Sequence, residues 1–293
     1  MIKESVFIVD GSGYIFRSYY AIPKLLSKNK TPINAVYGFC MMIQKLIKDY
    51  NPKYLAIAFD TGKKTFRHDI CSNYKVQRPS PPDDLIPQFK LIDTFVDAFN
   101  IARFRQIGFE ADDIIGSLAK RITCHNYPVV IVTDDKDLMQ LVSNSVSLLC
   151  ENKSEKKNIK RLVTPEYVEF KFGVRPRYIP DVLALIGDSS DNITGVDGIG
   201  KKNAAKLIME YGHVEQILNS IDQIKQVSIR NKLIQGSDRV RLNKQLTTIN
   251  CNIDIDFDLN TIKIKQPNVE KLKVLYLEFG FDKLLANLSF KTS

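Results

Sequence analysis

Apolar strands that alternate with helical segments, and that end in acid three times, predict an α/β protein with a largely parallel central sheet. The strand candidates are VFIVD, YLAIAFD and VVIVTDD, which end at Asp10, at Asp60 and at Asp134 with Asp135. Residues 35–50 (AVYGFCMMIQKLIKDY) have the apolar spacing of a helix. So do residues 83–99 (DDLIPQFKLIDTFVDAF), where Pro87 falls in the first turn. A third helix begins at GFEADDIIGSLAKRI, with Ile114, Ile115, Leu118, Ala119 and Ile122 on its apolar face.

The second part begins near residue 151. ENKSEKKNIKR is charged and lacks a strong period, as an exposed loop or hairpin would. TPEYVEFKF reads as a helix start, with Thr164 as cap and Pro165 at the first position. Residues 181–235 are helix-rich, with turns at GDSSDNITGVDGIG and EYGH. CNIDIDFDLN alternates apolar and acidic residues, as a short edge strand or an extended segment does. VEKLKVLYLEFGFDKLLANL should hold two short helices split by Gly280. No clear repeat or low-complexity linker divides the molecule. The expected division is an α/β core over 1–180 and a helix-rich region over 181–293.

Composition narrows the class. The 293 residues, 44% hydrophobic and 26% charged, are enough for one large folded domain or two modest ones. No run approaches the roughly 18 apolar residues of a membrane span, and the start MIKESVFIVDG lacks a secretory cleavage pattern, so a cytoplasmic location is expected. Cys40, Cys71, Cys124, Cys150 and Cys251 are odd in number and hold no C-x-x-C pair, so neither a disulfide framework nor a structural zinc site follows. The formal charge of +9, from 42 Lys and Arg against 33 Asp and Glu, fits plain solubility and equally fits attraction to a polyanion.

Parallel sheets place their sites outside the carboxyl ends of the strands, so Asp10, Asp60, Asp135 and Asp137 are candidates to converge there. Glu110, Asp112 and Asp113 start the third helix, where its dipole favours anions. Asp188 and Asp191, three apart, point the same way if they share a helical turn. Each acid could instead cap a helix or solubilise a turn. If all nine meet, their repulsion requires protons or metal, and oxygen-only ligands suit Mg²⁺ or Mn²⁺. Two such ions, about 3.5–4 Å apart, suit phosphodiester hydrolysis without a histidine base. His68, His125 and His213 are not grouped in sequence.

Six motifs in order then carry a resemblance that covers nearly the whole chain. VDG at 9–11, FDTGKKTFRHDICSNYKVQRP at 59–79, GFEADD at 108–113, TDDKDLMQL at 133–141, GDSSDN at 187–192 and GVDGIGKKNAAKL at 195–207 resemble the bacterial 5′ nuclease family. That family is similar to flap endonucleases and supplies the amino-terminal 5′→3′ exonuclease domain of DNA polymerase I. The resemblance implies a PIN-like core with a helical arch and a helix–hairpin–helix-type region. It implies that Asp10, Asp60, Glu110 and Asp112 lie toward one metal, Asp135, Asp137, Asp188 and Asp191 toward a second, and Asp113 near both. Asp134 stands where the family more often has a small residue and reads as a bystander.

TFRHDICSNYKVQRP resembles the approach to the arch. Lys75 and Arg78 are expected to engage the scissile phosphate, Tyr74 to stack on a base, and Arg67 to fix an acid or a phosphate. Gly195, Gly198, Gly200, Lys201 and Lys202 resemble the hairpin that grips duplex DNA, where a K⁺ ion bridges turn carbonyls to phosphate in this family. Thr194 and Asp197 depart from it, standing where proline is common, and Asp197 adds negative charge near the expected DNA path.

The function implied is a structure-sensitive 5′→3′ exonuclease and flap endonuclease acting on DNA flaps, nicks and free 5′ ends, with Mg²⁺ and with Mn²⁺ as substitute. It is expected to be a monomer, either stand-alone or the front domain of a polymerase. The alternatives are a noncatalytic DNA-structure-binding module and a PIN-class RNA nuclease.

Overall fold

The computed structural model describes residues 5–151 and 160–288. The central sheet has six strands: β1 (Val6–Asp10), β2 (Tyr54–Ala58), β3 (Ala102–Phe104), β4 (Val129–Val132), β5 (Val146–Glu151) and β6 (Lys160–Val163). Their spatial order is β3-β2-β1-β4-β5-β6, parallel through β5, with β6 antiparallel to β5. The chain fills one side of β1 and then crosses to the other, so a crevice opens at the carboxyl ends of β1 and β4. The charged loop expected at 151–161 lies largely outside the described residues.

The described residues hold twelve α-helices: α1 (Gly11–Ala21), α2 (Asn34–Tyr50), α3 (Phe66–Ile70), α4 (Ile86–Ala98), α5 (Ala111–Cys124), α6 (Pro165–Phe172), α7 (Ile179–Ile186), α8 (Lys201–Tyr211), α9 (Val214–Asn219), α10 (Val227–Thr247), α11 (Val269–Phe279) and α12 (Asp282–Ala286). A short hairpin, β7 (Gly187–Asp188) and β8 (Ile193–Thr194), joins α7 to the turn before α8.

β1, β2 and β4 read as continuous apolar runs because both their faces are covered. Phe7, Val9, Leu55, Ile57, Val130 and Val132 pack into the layer of α1, α2 and α4. Val6, Ile8, Ala56, Ala58, Val129 and Ile131 pack against α5 and, beyond it, the helices of the second part. Among the described residues no helix is long and apolar enough to cross a membrane.

The last helices do not stay with the 181–293 region: α11 and α12 return to the first layer, burying Leu272, Tyr276, Phe281 and Leu284 beside Phe95 and Phe39. Tyr276 stacks on Phe95 with centroids 5.7 Å apart, and its hydroxyl accepts from Gln44. CNIDIDFDLN is the extended segment rather than an edge strand. Ile253 and Ile255 face the core, while Ser117 and Arg121 of α5 bind the segment's backbone in place of a ladder. The stretch between α3 and α4 carries no further helix; residues 72–78 form turns that fold onto the β7–β8 hairpin.

That hairpin leaves no room beside Gly195. A Cβ there would lie 2.3 Å from the Ile186 carbonyl carbon and 2.5 Å from the Gly187 nitrogen, both backbone atoms that cannot rotate away. Gly195→Ala is therefore expected to destabilise the protein by about 1–3 kcal/mol, the usual range for overpacking, read as a lowered midpoint in urea.

Candidate metal and nucleic-acid site

Asp10 ends β1 and caps α1. Its Oδ1 accepts from the Gly13 amide at 2.9 Å, and its Oδ2 accepts from the Thr133 hydroxyl at 2.9 Å, across the β1–β4 seam. Gly13 is required here, since a Cβ would fall 2.3 Å from Asp10 Oδ2. Asp60 follows β2. Its amide donates to Ser12 Oγ, and its carboxylate accepts from the Ala111 amide at the start of α5. Glu110 caps α5, Asp135 and Asp137 follow β4, and Asp188 and Asp191 flank a one-turn 3₁₀ helix in the hairpin.

Burial comes first among the causes that raise several of these acids, and repulsion from neighbouring acids adds to it. Burial pushes Asp10 up to about 6, with Asp60 and Asp135 adding to the shift. Asp112 is pushed well above the carboxylate range by burial and then by Asp135 and Asp10. Burial, followed by Asp135, Asp188 and Asp191, raises Asp137 to about 8. Asp135 is raised by burial and by Asp191, although the Asp137 amide opposes the change. Asp188 is the exception: burial opposes it, yet the Ser190 hydroxyl and Lys136 hold it below the usual range.

Cations fold into the cluster. Lys75 Nζ lies 3.0 Å from Glu110 Oε2 and 3.6 Å from Asp191 Oδ2. Arg78 Nη2 lies 2.5 Å from Asp191 Oδ1, and Lys136 Nζ 2.9 Å from Asp188 Oδ2. Although burial disfavours its charge, Lys75 is held protonated above its ordinary value by Glu110 and Asp191. With these pairs in place, no three acids among the described residues form a ready-made metal cage. The donor set nevertheless fits a hard divalent cation. It is all oxygen, its acids outnumber their cations, and Asp137 Oδ1 is buried without a hydrogen-bond partner among the described residues.

Eight of the nine expected acids belong to this set of electrostatic neighbours; Asp113 does not. It is fully buried and pairs with Arg67 through two bonds of 2.7 and 2.8 Å. Arg67 is itself buried, so it faces this acid rather than DNA. Tyr74 is also misplaced as a stacking surface. It is 3% exposed, with its hydroxyl 3.2 Å from Glu110 Oε2 and 3.0 Å from Asp191 Oδ2. Asp134 is a structural acid, binding Arg17 and accepting from the Glu151 amide.

Sequence reasoning passed over Thr133, Ser12, Ser190 and Lys136. Lys136 carried a signal, as the single cation set among the acids of TDDKD.

An open cleft of about 490 Å³ runs beside the acids, lined by Gln77, Asp188, Ser189, Asn192 and Thr194. A larger one, about 700 Å³, lies away from them between α6 and α8, lined by Phe170, Phe172, Lys201, Lys202 and Met209. Lys201 sits over the Phe172 ring at 4.3 Å, and burial followed by Lys171 lowers its pKa. Gly198 has a positive φ of 75°, while Gly200 caps α8 with open space around it and no side-chain bond to the first amides. Asp197 does not stand as a free charge, because Lys232 of α10 binds it at 2.9 Å.

Residues 5–173 match the family model of the 5′-3′ exonuclease N-terminal resolvase-like domain, and residues 174–270 match that of the 5′-3′ exonuclease C-terminal SAM fold. DNA polymerase I of Rhizobium leguminosarum is 41% identical over 277 residues, 92% of this chain but 27% of that protein's length. The 5′-3′ exonuclease of Aquifex aeolicus is 37% identical over 282 residues, covering 96% of this chain and 94% of that protein. The zinc-bound structure of the T5 5′-exonuclease superposes with a TM-score of 0.66 at 25% identity, over 97% of this chain and 100% of that one. The α/β sheet described above is the PIN-like fold of these nucleases.

Proposed function

Because the chain belongs to the 5′-3′ exonuclease family, we propose that it hydrolyses DNA phosphodiesters at 5′ flaps, nicks and free 5′ ends with Mg²⁺ bound by its clustered acids. The observation that carries this reading is a set of eight carboxylates, drawn from positions 10 to 191, that act on one another's ionisation, with Lys75 and Arg78 paired to two of them. Asp10, Asp60, Glu110 and Asp112 would hold one ion, and Asp135, Asp137, Asp188 and Asp191 a second. When bound, the ions supply an activated water and neutralise charge on the phosphate.

The protein's own groups do the rest. Thr133 and the Gly13 amide fix Asp10, and Ser190 fixes Asp188, so the acids are oriented before an ion arrives. Lys75 and Arg78 are the cations that a phosphate draws from Glu110 and Asp191. The uncapped amides at the start of α8, with Lys202 beside them, suit a duplex phosphate, and the Gly198 turn is the place for a K⁺ ion. The α/β portion to about residue 180 carries most of the chemistry, the helical portion after it the duplex grip. A polymerase, fused or separate, is the partner this activity serves.

Cleavage of an end-labelled 5′-flap duplex, beside blunt, nicked and RNA substrates, tests the reading. Release near the junction with Mg²⁺, and none with EDTA, supports it. Inertness of folded protein with both Mg²⁺ and Mn²⁺ refutes it, and cleavage of RNA alone moves the assignment to an RNA nuclease.

A further inference from the structure

We infer that the buried Arg67–Asp113 pair is a positioning device joining the carboxyl end of α10 to the Lys75 segment and Glu110, and that Asp113 is not a metal ligand. The inference rests on the nuclease reading above and assigns Asp113 a different role from its neighbours Glu110 and Asp112.

The carboxylate of Asp113 is saturated. Oδ2 accepts from Arg67 Nη1 at 2.7 Å and from the Glu110 amide at 3.1 Å; Oδ1 accepts from Arg67 Nη2 at 2.8 Å and from the Asn250 amide at 2.9 Å. A carboxylate has about four acceptor sites, so no lone pair is left for an ion.

The guanidinium is equally occupied. Nε donates to the Leu246 carbonyl at 2.8 Å, Nη2 also to the Thr248 carbonyl at 3.0 Å, and Nη1 lies 3.5 Å from Glu110 Oε2. Leu246 and Thr248 mark the end of α10, whose earlier residues hold the hairpin: Lys232 binds Asp197, and Asn243 binds the Ala184 and Thr194 carbonyls. On the other side, the Arg67 carbonyl accepts from the Cys71 amide, which closes α3 three residues before Tyr74 and four before Lys75. One side-chain pair thus connects the helix that shapes the duplex-gripping turn to the cations and the acid that meet the phosphate. Arginine is needed because lysine offers one nitrogen and cannot form the fork.

The test uses Arg67→Met/Asp113→Asn, which removes the buried charges together, and Arg67→Lys as a second variant should the first fail to fold. Three quantities are read: Mn²⁺ stoichiometry by electron paramagnetic resonance, the single-turnover rate, and the cut position on a flap mapped to the nucleotide. The variants are expected to bind as many Mn²⁺ ions as the parent, where Asp135→Asn binds fewer. Their cleavage should slow at least about tenfold, as for other groups that orient ligands, and the cuts should spread over neighbouring phosphodiesters. Loss of a Mn²⁺ ion makes Asp113 a ligand and overturns the inference. A slower rate at an unchanged cut position also overturns it, because weakened packing alone gives that. A parent that binds Mn²⁺ but does not cleave refutes the nuclease reading instead, while the Mn²⁺ count still decides the place of Asp113.

Discussion

Asp137→Asn is expected to melt at a higher temperature than the parent in EDTA and to lose Mg²⁺-dependent cleavage by more than about 100-fold, beyond the usual effect of an outer-shell partner. Both effects have one cause. Asp137 is half-buried, with Asp135, Asp188 and Asp191 as its charged neighbours, and desolvation together with their repulsion raises its folded pKa to about 8 against an unfolded value of roughly 3.9. The stability it contributes is present below the unfolded pKa and is lost as pH rises through the folded one. Asp10 behaves likewise, with loss through about 6. Asp188, held below its usual range, has the opposite sign and acts at lower pH.

The metal-free parent should therefore lose stability between about pH 4 and pH 8 through these two groups. An amide at 137 has nothing to ionise, so the gap between variant and parent should widen with pH across that window. Differential scanning fluorimetry from pH 5 to 9 in EDTA reads it. A gap that stays flat or reverses would mean that Asp137 is not under the electrostatic load described.

Lys75→Ala is expected to slow single-turnover flap cleavage by about 10²–10³, the range for losing one electrostatic contact to a transition state, with duplex affinity within about threefold. The ammonium sits between Glu110 and Asp191, on a residue whose φ is 54° and whose amide is tethered to the Asp191 carbonyl at 3.0 Å. The backbone tether does not depend on the side chain, so the segment should keep its path when the amine is gone. Arg78 remains on Asp191 but cannot replace the lost charge at Glu110. Anisotropy gives the affinity and quenched flow the rate. An unchanged rate would remove Lys75 from the phosphate site, and a fall in affinity alone would make it a simple DNA contact.

The sheet was legible because β1, β2 and β4 are buried on both faces and announce themselves as apolar runs that end in acid. The short edge strands β3 and β6 were not: ARF and KRLV carry charge, and three or four residues are too few for a period. The acids could be named from the ordered motifs, but their grouping could not distinguish Asp112 from Asp113. The helix turns adjacent residues to different sides, sending Asp112 into the acid cluster and Asp113 into the Arg67 fork. Tyr74 was misread for a related reason: an aromatic beside two cations resembles a stacking surface until its burial is known. The return of α11 and α12 to the first layer left no sign in the chain, since Leu272, Tyr276 and Phe281 would serve any apolar partner.

Two-ion binding by the clustered acids is tested most directly by a crystal structure of the parent soaked in Mn²⁺, with data at the manganese absorption edge. Two anomalous peaks among Asp10, Asp60, Glu110, Asp112, Asp135, Asp137, Asp188 and Asp191, with Asp113 still bound to Arg67, are expected. Manganese held elsewhere, or ligation by Asp113, would contradict the account.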